Sequence, residues 1–138
     1  MLNSKKASIL VMAAVIVSLA GCSSVGTTMP VTPGHELQPL SLGWQRYFEI
    51  DWQQGERHGM PILSGRVENK YGEAATRVQL LVDALDAKGK VITQKVTWLG
   101  DDIPASNSTY FEVPVEAASN YRVSVFAYDW IETDGPRR

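Results

Sequence analysis

From Trp44 onward, six short segments place apolar side chains at every second position, the period of a strand with one buried face. In "WQRYFEIDW", Phe48, Ile50 and Trp52 share a face opposite Glu49 and Asp51. In "PILSGRVEN", Leu63, Gly65 and Val67 oppose Ser64, Arg66 and Glu68, and the polar run Gln53–Gly59 before it reads as a loop. The clearest alternation is "TRVQLLVDALD", with Val78, Leu80, Val82 and Ala84 on one side and Arg77, Gln79 and Asp83 on the other. "DAKGK" is a tight turn in which Gly89 can take a positive φ. "VITQKVTWLG" returns with Ile92, Val96 and Trp98 on a common face, and "TYFEVPV" aligns Phe111, Val113 and Val115. Pro114 lacks an N–H and suits an edge or a strand end. The last segment, "YRVSVFAYDW", sets Tyr121, Val123, Val125 and Ala127 on one face, with Phe126, Tyr128 and Trp130 on the other. No crossover helix separates these segments. The pattern predicts an all-β fold, a single antiparallel β-sandwich of six to seven strands over 44–132, followed by a tail at 133–138.

The pattern upstream is different. Lys5 and Lys6 precede "ASILVMAAVIVS", twelve uncharged residues with no polar face. A membrane span needs about 20 residues, so the run has the length of a signal-peptide core. Leu19-Ala20-Gly21-Cys22 follows, and all four positions fit the pattern [LVI]-[AS]-[GA]-C. The stretch resembles the lipobox of bacterial lipoproteins. That resemblance implies a leader at 1–21, peptidase recognition through Leu19, Ala20 and Gly21, and a diacylglyceryl thioether on the Cys22 sulfur, with cleavage before Cys22 and acylation of its new amine. Two or more acyl chains anchor stably where one binds only marginally, at about 0.8 kcal/mol per buried CH₂. Residues 22–43 are then expected to form a tether rich in Ser, Thr, Pro and Gly. About 20 flexible residues have a root-mean-square span of roughly 25 Å, and the prolines lengthen it. Ser23 after the anchor, by resemblance to sorting signals in two-membrane bacteria, favours the periplasmic face of the outer membrane.

A second resemblance covers Leu63 to Val125. "SGRVEN", "ATRVQLLVDALDAKGKVI", "IPASNSTYFEVPV" and "YRVSV" are similar to the FxLYD-type, immunoglobulin-like modules of bacterial lipoproteins. Gly65, Val67 and Asn69 fit a Gly-x-Val-x-Asn strand; Asp86, Gly89 and Val91 fit a turn; Pro104, Phe111 and Val113 fit the next strand. The module name usually implies an aromatic where this chain has Leu85. These positions are turn formers and core side chains, and the resemblance carries no catalytic residue. Gly65 is expected to serve a close approach between sheets.

Charge and composition narrow the function classes. Without residues 1–21, which hold Lys5 and Lys6 and no acid, 11 basic and 15 acidic side chains remain. The longest basic cluster is Arg137-Arg138, which disfavours nucleic-acid binding. Cys22 is the single cysteine, so no intrachain disulfide and no thiolate metal site is expected. His35 and His58 lie in separate polar stretches and read as solvated, although His58 has Glu56 nearby. Asp101-Asp102 and the group Asp129, Glu132 and Asp134 come closest to an acid–base constellation, which needs two carboxyls about 5–9 Å apart in a cleft. They read as acidic turn residues, and the chain reads as noncatalytic, without cofactor or metal. Phe126, Tyr128 and Trp130 interrupt a face that should be polar. Either "WQRYFEIDW" or the tether folds over them, or they form a sticky surface for a protein or glycan. The expected role is a lipid-anchored interaction or structural module in the cell envelope, attached to the membrane through its lipid and contacting an unidentified envelope protein. An envelope glycan- or small-ligand-binding protein is the alternative.

Overall fold

The computed structural model describes residues 26–133. The leader 1–21 with Leu19, Ala20 and Gly21, the anchor Cys22, and the tail from residue 134 lie outside the described residues. Among the described residues seven strands are present: β1 (Gly26–Pro30), β2 (Phe48–Arg57), β3 (Met60–Asn69), β4 (Ala74–Leu85), β5 (Val91–Trp98), β6 (Ser108–Pro114) and β7 (Asn120–Ile131). A single 3₁₀ turn, Trp44–Arg46, precedes β2. The strands form two antiparallel sheets, ordered β1-β5-β4-β7 and β2-β3-β6. The all-β sandwich expected from the alternation is the observed fold.

The core is the set of positions that the two-residue period picks out. Phe48, Leu63, Val67, Phe111 and Val113 come from the three-stranded sheet, and Val78, Leu80, Val82, Val123 and Val125 from the four-stranded one. Each such side chain, fully buried, contributes about 1.5–3 kcal/mol. Gly89 takes φ 80° in the β4–β5 turn. There the Asp86 carboxylate accepts the N–H groups of Lys88 and Lys90, both at 2.9 Å. Tyr121 closes the start of β7: its hydroxyl donates to the Glu116 carbonyl and accepts the Ala118 N–H at 3.0 Å. Asn69 ties two loops together. Its amide nitrogen contacts the carbonyls of Glu73 (2.8 Å), Ile103 (3.2 Å) and Pro104 (3.3 Å), while its side-chain oxygen accepts the Tyr71 N–H at 2.9 Å.

Several expectations are corrected. Gln53–Gly59 is not a loop. β2 runs to Arg57 opposite Met60, and the turn is only His58-Gly59, at φ 51° and 76°. Two successive positive φ values match the right-handed twist of a two-residue hairpin. Ile92, Val96 and Trp98 share a face, but it is the outer one. Cross-strand pairing puts Thr93, Lys95 and Thr97 opposite the inward Ala84, Val82 and Leu80. A lysine is tolerated there because its stem lies inside while its ammonium reaches the Pro114 carbonyl at 2.9 Å. Gly65 serves an approach within a sheet, not between sheets: an added Cβ would stand 1.9 Å from the Asp51 carbonyl oxygen on β2. Finally, the stretch expected to be a tether is largely fastened to the sandwich. Residues Gly26–Pro30 pair with β5, and the following segment, Val31–Gly43, crosses the outer face of the four-stranded sheet as a strap.

Candidate functional site

The strap is held by a side chain that imitates a neighbouring strand. The Gln94 amide accepts the Leu37 N–H at 2.7 Å and donates to the Leu37 carbonyl at 3.1 Å, so both main-chain groups of Leu37 are paired. The same Gln94 nitrogen donates to Asp83 Oδ1 at 2.8 Å. Arg122 completes the cluster, with Nε 2.8 Å and a terminal nitrogen 2.6 Å from Asp83 Oδ2. The Asp83 side chain is only 2% exposed, and both of its oxygens have partners. A buried charge is sustainable on those terms. Farther along, the N–H groups of Leu40 and Ser41 approach the Phe126 carbonyl at 2.8 and 3.4 Å. The strap thus spans from β5 to β7. This path explains why Leu81, Asp83, Gln94 and Ser124 are buried although they lie outside the sandwich interior.

Between strap and sheet runs a groove of about 480 Å³, walled by Leu37, Leu42 and Trp44 on one side and Asp83, Arg122 and Ser124 on the other. A shallower cleft of about 370 Å³ lies over the three-stranded sheet. Tyr110 is 59% exposed there. Asp51, Arg66 and Tyr110 stand in one cross-strand row.

The three aromatics singled out on β7 do not share a surface. Leu80 pairs with Val125 but Gln79 pairs with Ala127, so β7 carries one extra residue at Phe126. An inserted residue reverses the alternation beyond it. Tyr128 and Trp130 therefore turn toward the core, where both pack against it. Trp130 stacks on Phe48 with centroids 5.6 Å apart and planes 6° from parallel, and Tyr128 meets Phe48 edge-on at 4.8 Å. Tyr47 and Tyr71 complete the cluster around Trp130 at 5.5 and 4.6 Å. "WQRYFEIDW" covers this pair, and the strap meets Phe126 through main-chain bonds. Burial, and after it the neighbouring Tyr47, push the Tyr128 hydroxyl above its ordinary pKa.

The remaining candidates stay apart. His35 and His58 are exposed. Asp129 pairs with Arg77, at 2.7 and 2.8 Å, while Asp101, Asp102 and Glu132 are exposed. Asp134 lies outside the described residues. Among the described residues, no group of three or more His, Cys, Asp or Glu could hold a metal ion, and no helix is long and apolar enough to cross a membrane. Gln94, Asp83, Arg122 and Leu37 were invisible as a unit in the sequence. Each strand residue occupies an outward position that reads as solvated, and only the pairing of β4 with both β5 and β7 brings them together.

No family model and no curated protein matches this chain. One solved structure, titled "X-ray structure of Northeast Structural Genomics Consortium target SoR45", is similar over 65% of this chain and 86% of its own, at 13% identity and a TM-score of 0.32. A likeness at that level supports no conclusion about fold or role.

Proposed function

We propose that this chain is a lipid-anchored, noncatalytic protein of the bacterial cell envelope whose β-sandwich serves as a protein-interaction or structural module. The observation that carries the reading is Leu19-Ala20-Gly21-Cys22, placed directly after twelve apolar residues behind Lys5 and Lys6. In this reading Cys22 bears the lipid, no cofactor is required, and Ser23 directs the protein to the periplasmic face of the outer membrane. Tethering raises the effective concentration of the module for an envelope partner. Support for a structural role comes from the acidic side chains: Asp83, Glu112 and Asp129 are each engaged by an arginine, at 2.6–2.7 Å. Replacing Cys22 with Ser is expected to release the protein from the membrane fraction. Continued sedimentation with membranes after a carbonate wash would refute the anchor. Crosslinking the lipidated protein in its own envelope is expected to capture a defined protein partner.

One observation favours a second reading, glycan binding. Among the described residues no hydrogen bond or ion pair engages the Asp51 or Arg66 side chain, and both sit beside the exposed Tyr110 ring in the shallower cleft. Saturable binding to cell-wall glycan that Tyr110→Ala abolishes would establish it in place of the first.

A further inference from the structure

The anchor and the sandwich lie closer together than a 22-residue tether would place them. β1 begins at Gly26, four residues after Cys22. Even fully extended, that interval covers no more than about 14 Å. Gly26 sits opposite Thr97, and Trp98 follows it. With strands about 5 Å apart, the Trp98 backbone is at most about 23 Å from that of Cys22. An acylated cysteine holds its peptide at the hydrocarbon boundary, beneath a headgroup layer about 5–8 Å deep per leaflet. A sandwich fastened so near has little room to stand clear of the surface.

Which side faces the lipid follows from where apolar surface is left open. Among the described residues eight large apolar side chains are exposed, and five belong to the outer side of the four-stranded sheet: Ile92 and Trp98 on β5, Ile131 at the end of β7, and Leu40 and Leu42 on the strap above it. Leu42 is 89% exposed, Leu40 71% and Trp98 49%. Burying leucine is favourable, and tryptophan, with an apolar body and one N–H, is enriched at membrane interfaces. The Asp83 carboxylate on this side is already covered and paired with Arg122, so it presents no bare charge. Resting on the acylation of Cys22, we propose that this side of the sandwich lies against the bilayer surface, with Trp98 seated in the interface and Leu40 and Leu42 beside it. The acidic pair Asp101-Asp102, just beyond Trp98, makes a zwitterionic surface a better fit than an anionic one.

The test uses the natural protein, its acylation read by mass spectrometry, reconstituted into phosphatidylcholine vesicles whose acyl chains carry bromine, a quencher of tryptophan fluorescence. Emission is expected to be quenched relative to plain vesicles. The quenching should fall to half or less in Trp98→Phe, because Trp44, Trp52 and Trp130 pack against the core, and should fall about twofold in Leu40→Ser/Leu42→Ser. Acylated protein whose emission is the same in both vesicles, or whose quenching survives Trp98→Phe, overturns the proposal and leaves the anchor standing. Unacylated protein removes the anchor, and this inference with it. Blue-shifted Trp98 emission in a dimer of the soluble Cys22→Ser protein would give this side to a second copy and also overturn it.

Discussion

Gly65→Ala tests how closely β2 and β3 approach. The new methyl would stand 1.9 Å from the Asp51 carbonyl oxygen, 2.7 Å from Trp52 Cα and 2.9 Å from the Asp51 carbonyl carbon. All three are backbone atoms, so no side chain can swing away. Restoring ordinary contact at 3.4 Å requires β2 to retreat by about 1.5 Å at its pairing with Gly65. Overpacking of this kind costs about 1–3 kcal/mol. A ladder hydrogen bond weakened by the retreat adds about 1 kcal/mol. The stiffer unfolded chain returns about 0.4–1 kcal/mol. The net expectation is a loss of about 2–3 kcal/mol, or roughly 8–20 °C in Tm for a domain of this size. Gly72 and Gly100 are matched controls, since a methyl on either meets nothing within 4 Å; Ala there should change stability by about 1 kcal/mol at most and in the favourable direction. Urea unfolding followed by tryptophan fluorescence reads all three. If Gly65→Ala stays within about 0.5 kcal/mol of the parent, with the same denaturant slope, the close approach is not what keeps that position a glycine.

Four further outcomes follow from the same structure. Gln94→Ala removes both bonds to Leu37 and one to Asp83; it should speed proteolysis and amide exchange in the strap at least tenfold and lower global stability by about 1–3 kcal/mol. Gln94→Glu should loosen the strap as well, because a carboxylate cannot donate to the Leu37 carbonyl. Asn69→Ala should cost about 1–3 kcal/mol in urea unfolding, since it takes the donor from the Glu73 carbonyl and unties the Tyr71 N–H, while the Ile103 carbonyl keeps the Ala75 N–H. Burial and Tyr47 raise the Tyr128 pKa above 10.0 in the folded protein. The resulting stabilisation is complete below the unfolded value of about 10 and is lost as pH rises through the folded one. An ultraviolet phenolate titration should therefore show one late-titrating tyrosine, absent from Tyr128→Phe.

Much of the sandwich was legible because its core obeys a period. Leu63, Val67, Val78, Leu80, Val82, Phe111, Val113, Val123 and Val125 occupy the positions that alternation assigns to a buried face. The misreadings share a cause: a local period says nothing about what lies opposite. The extra residue at Phe126 breaks no sequence pattern, yet it turns Tyr128 and Trp130 from the outside to the inside. On β5 the more apolar face points outward, because a long-stemmed lysine and two threonines fill the inner one. The strap was legible only as one of two covers for the β7 aromatics, because two bonds from a side-chain amide and two N–H groups on one carbonyl need no hydrophobic repeat. The groove beneath it depends on those contacts, so it was no more visible than they were.

The order of synthesis gives β1 a peculiar position. Of the described strands it is the first to be made, yet Gly26 pairs with Thr97, and Pro30 with Thr93. Until more than sixty further residues have emerged, that strand has no neighbour to join. The six later strands form two sheets without it, β5-β4-β7 and β2-β3-β6. β1 therefore waits for β5 and, held along one edge by that strand alone, is expected to be the earliest of the seven to fray in the mature molecule.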